Sequence, residues 1–420
     1  YEFYHNESEE DGVGLYRPFD DSDNVHAVFA SHHALVTELR ARALSKSPEG
    51  RDKLKRMACL ATQISLHLGK KNADHFEATI EDGSSLAVEL LNTMYNNASS
   101  NRRDAMNCLS AFINERSCGF QICQIVRRAA GRAVLSEVTS AIVTSLTSSM
   151  DDSEQDYDIV LEARSLMHLL GILSTSPPGC ATIKEAELLP SLVSMLKDER
   201  VHHVPVIVDA VHTLESYLDF APSAVHAFRD LNGVELLLAR MSHESRVALE
   251  ECQASSEPDR KRKADSLSSL EDADVVTTLA TNAPKYVSYH RRVLLKALMR
   301  TLAYTSFAVG GSRSRIPGLS DGTLTNSIAR MLMHPLKFGP GVAALAANLL
   351  CDIIHNEPTC YTSMNDAGIV DSYLRFITEG LWPLGPSKTM AKILCAIPTT
   401  LNAICLNENG LQKVVKSSAF

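Results

Sequence analysis

Asn232-Gly233-Val234-Glu235-Leu236-Leu237-Leu238 is a polar turn with a glycine that runs straight into a short apolar helix. The same local grammar recurs along the chain. It appears at Asp82-Gly83-Ser84-Ser85-Leu86, Gly131-Arg132-Ala133-Val134-Leu135, and, without its Gly, at Glu187-Leu188-Leu189-Pro190-Ser191-Leu192-Val193. It returns at Asp321-Gly322-Thr323-Leu324, Ala367-Gly368-Ile369-Val370 and Asn409-Gly410-Leu411-Gln412. Successive spacings are about 48, 56, 46, 89, 46 and 42 residues, and 89 is close to two periods. Glycine permits a tight reversal, and the helix after it is short and one-sided, so it needs a neighbour to cover its apolar face.

A period of about 40–47 residues is that of armadillo and HEAT units, which stack into a continuous core. An irregular helical bundle can carry the same turn-helix pattern, and the recurrence of one spacing favours stacking. Between the turns the periodicity is helical: Ile159, Ala163, Leu166 and Leu170 share a face, as do Leu294, Leu298 and Leu302. Strict alternation is not sustained. Ser176-Pro177-Pro178-Gly179, Phe338-Gly339-Pro340-Gly341 and Pro383-Leu384-Gly385-Pro386 read as breakers that end one helix and aim the next. The expected fold is all-α, an armadillo/HEAT-like α-solenoid, a right-handed superhelix of helix pairs and triplets.

Composition agrees with a helical core. The chain has 420 residues, 45% apolar and 22% charged, which excludes wholesale disorder. Aromatics are 6% with one Trp, so Leu, Ala, Val, Ile and Met must build the interior. A net charge of −9 argues against a general nucleic-acid or anionic-membrane binder. The ten Cys are scattered in apolar stretches, the usage of a reduced compartment where Cys is a small hydrophobe. The most apolar run, Val342–Leu350, is closed by Asp352 and is too short to span a bilayer. The first residue is Tyr1 rather than Met, which reads as a segment of a longer polypeptide.

No catalytic, cofactor or metal constellation is expected. Cys118 and Cys123 have no second pair, and His32-His33 and His202-His203 lack the four-residue spacing of a helical zinc site. Gly310-Gly311-Ser312-Arg313 has no Walker lysine, and no Gly-x-Ser-x-Gly occurs. Basic residues cluster at Arg40–Arg56, at Arg127, Arg128 and Arg132, and at Arg291, Arg292, Lys296 and Arg300. These read as solvated helix faces or as a stripe for an acidic partner segment. Ser148–Asp158 reads as an exposed acidic loop. Ser255–Asp274 is polar and expected to be disordered; Gly310–Ser320 is expected to be a loop. Within the first of these, Arg260-Lys261-Arg262-Lys263 is a candidate nuclear-import run, and Ser266, Ser268 and Ser269 are candidate acidophilic-kinase sites. The expected organisation is a helical-repeat segment 1–242, a largely disordered insert 243–285, and a helical-repeat segment 286–420 continuing the same solenoid.

Two blocks near the C-terminus carry a resemblance. Cys351-Asp352-Ile353-Ile354-His355-Asn356-Glu357-Pro358-Thr359-Cys360 with Asn365–Ile369 is the first. Ile397-Pro398-Thr399-Thr400-Leu401-Asn402-Ala403-Ile404-Cys405-Leu406-Asn407-Glu408-Asn409-Gly410-Leu411 is the second. With weaker echoes at Ala224–Leu237 and Tyr1–Tyr4, the chain resembles the N-terminal armadillo-like region, of unknown function, of the giant HECT-type E3 ubiquitin ligases. Plant and fungal-type members are the most similar. The resemblance implies a parent polypeptide whose distant HECT domain holds the catalytic Cys, and none of the ten Cys here maps to it. It implies a non-catalytic scaffold and substrate-recruiting segment, with protein substrates and other parts of the same ligase as partners; from the residues themselves no cofactor and no membrane are expected, and the location is expected to be cytoplasmic and, through the import run, nuclear. The residues alone also allow a free-standing armadillo-type adaptor, although the single Trp382 cannot line a groove of the import-adaptor kind, and an all-α enzyme with a hidden site.

Overall fold

A computed structural model describes residues 83–96, 99–114, 119–148, 154–254, 286–307, 318–319, 321–381 and 388–417. Among the described residues every regular element is a helix. The chain divides into two compact units at Ile125 and Val126. In the first, α1 (Gly83–Asn96) packs on α2 (Ser99–Ile113), followed by α3 (Gly119–Val126). Leu90, Leu91 and Met94 of α1 and Met106, Leu109 and Phe112 of α2 are buried at helical spacing.

The second unit is a stack. After α4 (Ala129–Ser148) and α5 (Glu154–Ser174), the chain repeats a three-helix module whose first and middle helices vary in length and whose closing helix is long, 17–19 residues. The first module is α6 (Pro177–Glu185), α7 (Leu189–Met195) and α8 (Val204–Phe220). The second is α9 (Ala224–Asp230), α10 (Gly233–Ala254) and α11 (Tyr289–Phe307). The third begins at α12 (Thr323–Met333), with the short α13 (Pro335–Phe338) before its long helix α14 (Pro340–Asn356). The fourth is α15 (Tyr361–Asp366), α16 (Ile369–Arg375) and α17 (Lys388–Cys405), and α18 (Glu408–Lys416) follows.

The long helices α5, α8, α11, α14 and α17 form one column, each packed on the next, and α10, α12 and α16 form a second. Each inner long helix (α8, α11 and α14) therefore lies between two neighbours of its own kind and against the middle-helix layer. This explains why α14 is apolar nearly all round, with Val342, Ala343, Ala346, Ala347, Leu350, Ile353 and Ile354 buried. The expectation of an all-α solenoid holds.

The recurring turns are of two kinds, which the sequence reading merged. In the first, a residue with positive φ precedes the middle helix: Glu187 (φ 53°), Asn232 (55°), Gly322 (76°) and Gly368 (74°). The missing Gly at the first of these turns is explained, since Glu187 itself takes the left-handed conformation. At Asn232-Gly233 it is Asn232, not the glycine, that reverses the chain, in keeping with the tolerance of Asn for that region. In the second kind, a small residue sits in the first turn of a helix, against the end of the helix before. A Cβ at Gly131 would lie 2.3 Å from the Val126 carbonyl oxygen, and one at Gly410 2.1 Å from that of Ile404. Sorted this way the first set falls at 187, 232, 322 and 368, with one module or two between members. The uneven spacings in the sequence came from mixing the two sets.

Two other expectations change. Ser148–Asp158 is not an exposed loop throughout: α5 starts at Glu154, and Asp156 is only 2% exposed. Residues 243–254 continue α10, with Glu244, Ser245 and Ala248 buried, while 255–285 lie outside the described residues.

Six of the eight described cysteines are buried and behave as core atoms. Burial, helped by the Glu357 charge, pushes the Cys360 thiol up to about 11, and burial also raises Cys180 and Cys351. Cys395 is exposed. At neutral pH iodoacetamide should modify Cys395 in the native chain and spare Cys180, Cys351 and Cys360 until denaturant is added. Peptide mass mapping checks this, and equal labelling of Cys360 and Cys395 would contradict it.

Candidate functional site

The first three helices of the long-helix column, α5, α8 and α11, carry a row of polar side chains linked from one helix to the next. Arg164 Nε on α5 donates to Asp209 Oδ2 on α8 at 2.9 Å. Arg300 on α11 grips Glu215 on α8 with Nε at 2.6 Å and Nη2 at 3.0 Å, and His212 Nδ1 lies 3.3 Å from the same carboxylate. Burial pushes the Glu215 carboxyl up, but hydrogen bonds from His212 and Arg300 and the Arg300 charge outweigh it, leaving the pKa below its ordinary value. Several of the bases read from the sequence are thus paired with carboxylates, most of them at the surface. Arg300 serves Glu215, and Arg127 and Arg132 both hold Glu185, at 2.5 and 2.6 Å. Arg291 is buried on Glu244 and Glu251. The row along these long helices therefore carries mixed charge rather than a positive stripe.

A second polar system lies inside. Arg240 and Glu244 on α10 and Arg291 on α11 are 2%, 0% and 2% exposed. Glu244 Oε1 lies 2.7 Å from Arg240 Nη2, its Oε2 accepts from Arg291 Nη1, and Arg291 Nη2 reaches Glu251 at 2.8 Å. Burial pulls the Arg240 guanidinium pKa down against the charges of Glu244, Asp198 and Glu199. These pairs clamp α10 to α11 on either side of the long connection that begins at residue 255. Holding the ends of such a connection together is an entropic penalty that a local clamp offsets.

A third cluster lies near the N-terminus of α5. Between α7 and α8 the chain makes a 3₁₀ turn, Val201–His203, immediately before Pro205 fixes the start of α8. The turn places His202 and His203 edge to face, ring centroids 4.5 Å apart, beside Asp156 of α5. His202 Nε2 is 2.6 Å from Asp156 Oδ2, and His203 Nε2 is 3.2 Å from both carboxylate oxygens. His203 is fully buried, and its Nδ1 lies 2.6 Å from Asp198 Oδ2. Asp198 in turn accepts from the Arg200 backbone N–H (3.1 Å), Nε (3.0 Å) and Nη2 (2.6 Å), while Arg200 Nη2 also donates to the Leu146 carbonyl. Burial would raise the Asp198 pKa; the hydrogen bonds from His203 and Arg200 reverse it and hold the carboxyl well below its usual range.

Sequence reasoning missed both interior clusters, because their members are far apart in the chain. A signal was nevertheless present. Asp156 and His203 are separated by 47 residues, Glu244 and Arg291 by 47, and Arg164 and Asp209 by 45, each close to one module. Opposite charges one module apart land on neighbouring helices. The sequence-predicted residues Arg260, Lys261, Arg262, Lys263, Ser266, Ser268 and Ser269 lie outside the described residues, as do His32, His33 and Cys118. Among the described residues no helix is long and apolar enough to cross a membrane.

Comparison with known proteins gives the relatives. The chain is 31% identical over 258 residues to the E3 ubiquitin-protein ligase UPL1 of Arabidopsis thaliana, which covers 61% of this chain and 6% of that protein. It is 24% identical over 246 residues to the ligase ptr1 of Schizosaccharomyces pombe (59% and 7%), and 23% over 266 residues to HUWE1 of Mus musculus (61% and 6%). The chain thus spans a small fraction of the length of these relatives. Among solved structures, a designed armadillo repeat protein in complex with the peptide (KR)4 aligns at 12% identity with a TM-score of 0.43, over 74% of this chain and 98% of that one. The family described as Domain of Unknown Function (DUF913) matches residues 208–420, from within α8 through α18, and the chain belongs to it.

Proposed function

We propose that this chain is a non-catalytic scaffold and substrate-recruiting segment of a HECT-type E3 ubiquitin ligase, acting in protein ubiquitination and ubiquitin-dependent degradation. The observation that carries the reading is the 31% identity to a ligase over 258 residues, more than half of the chain. The architecture is compatible with the role. Stacked modules offer a broad, mixed-charge row along the long helices, suited to extended protein segments rather than to a small substrate. Buried thiols such as Cys180 and Cys360, raised above the ordinary range, suit packing rather than thioester exchange. In this reading the HECT cysteine lies elsewhere in the parent polypeptide. A cytoplasmic and nuclear location belongs to the same proposal, with Arg260–Lys263 as the import run.

The test is charge reversal on the long-helix row of the full-length parent ligase, with Arg164→Glu and Arg300→Glu. Client ubiquitination should fall several-fold while transfer of ubiquitin from E2 to the ligase stays at its normal rate. Unchanged client ubiquitination, or parallel loss of both steps, would overturn the reading. An antiserum against the segment that detects only a polypeptide of this segment's size would favour the free-standing adaptor instead.

A further inference from the structure

We propose that Asp156, His202 and His203 form a binding site for a divalent transition metal of the zinc class, with an open coordination position beside His202. The ligand atoms of the three side chains all lie within 4.8 Å of one another. Two imidazole nitrogens and one carboxylate oxygen are the donor set that borderline ions favour. With bonds of about 2.0–2.2 Å, ligand atoms around a tetrahedral ion sit about 3.4 Å apart. The spacings from Asp156 to His202 (2.6 Å) and to His203 (3.2 Å) are therefore within a small side-chain adjustment of that geometry.

An independent feature is the support behind the ligands. A metal-binding imidazole commonly donates its other N–H to a carboxylate, which fixes the tautomer and aims the free nitrogen. His203 has that arrangement: Asp198 holds Nδ1 at 2.6 Å and leaves Nε2 directed at Asp156, and Arg200 locks Asp198 with three donors. Asp156 and His203 are 2% and 0% exposed, so the inner wall is dry. The His202 side chain is 35% exposed, which supplies an entry path and leaves room for water or a partner's side chain at the fourth position. An ion here would staple the start of α5 to the entrance of α8 and so fix the spacing of two neighbouring long helices.

The test is titration of the chelator-treated full 420-residue chain with Zn²⁺ against a chromogenic competitor, and with Co²⁺ by absorption. One equivalent should bind, with cobalt ligand-field bands but no thiolate charge-transfer band, and Zn²⁺ should raise the thermal midpoint. Asp198→Asn should weaken binding by about 10–100-fold through loss of the support alone. His202→Gln, at a partly exposed position that tolerates change, should abolish the equivalent and the thermal shift while far-UV helicity is retained. Absence of the equivalent in the unmodified chain, its persistence in His202→Gln, or a thiolate band would each overturn the proposal.

Discussion

Glu244→Gln destabilises the chain by about 3–5 kcal/mol in chemical denaturation, one of the two largest effects expected of any single change here. Glu244 has no exposed surface and lies between two guanidinium groups, Arg240 and Arg291, themselves 2% exposed. The neutral amide removes the one charge that offsets both. Two buried cations then face each other across the α10–α11 contact, and Glu251, on the more exposed side, can serve only Arg291. Taking the whole cluster out behaves differently. Arg240→Met, Glu244→Leu and Arg291→Met together should be neutral or stabilising by up to about 4 kcal/mol, because the one charge that loses Arg291, Glu251, is 45% exposed to solvent and the volume is kept. If the single amide costs under about 1 kcal/mol, the clamp contributes nothing and the two helices are held by apolar packing alone. The contrast between the single and triple variants also tests whether the cluster serves to align α10 with α11 rather than to stabilise them.

Gly179→Ala costs about 3 kcal/mol, and Gly368→Ala only about 1–2 kcal/mol, although both residues stand where one helix gives way to the next. The reason is geometric. A Cβ at Gly179 would fall 2.0 Å from the carbonyl oxygen of Leu173 and 2.7 Å from its carbonyl carbon, both backbone atoms at the end of α5. Neither can swing aside without moving α5 off α6, and Ser176, whose Oγ accepts from the Gly179 N–H as the cap of α6, would move with it. Gly368 meets nothing within 4 Å, so its substitution carries only the strain of φ +74°. Gly368→Asn should be close to neutral, since Asn232 holds the equivalent place in another module. Denaturation midpoints of the three variants rank the effects; equal losses at 179 and 368 would remove the distinction between the two kinds of turn.

That distinction also shows how far the sequence could be read. Helical spacing of apolar residues such as Leu166 and Leu170 was unmistakable, and both are buried. The module length was legible from its punctuation, although Gly131 and Gly410 were grouped with turns to which they do not belong. A glycine needed because another backbone passes close looks identical, in sequence, to one needed for positive φ. Glu187 was legible as a turn only because its neighbours matched the pattern. The interior polar clusters were illegible as sites: Asp156 sat in a run of acids that reads as solvated, and Arg291 in a run of bases that reads the same way.

The helical class, the module of about 45 residues and the kinship with large ubiquitin ligases could all be read without coordinates, because each is written in local spacing or in recognisable residue strings. Only the tertiary structure decided which charges are buried, which bases are neutralised, and that Asp156 meets His202 and His203. Those outcomes depend on side chains brought together across one whole module, and burial is a property of the stack rather than of any segment within it.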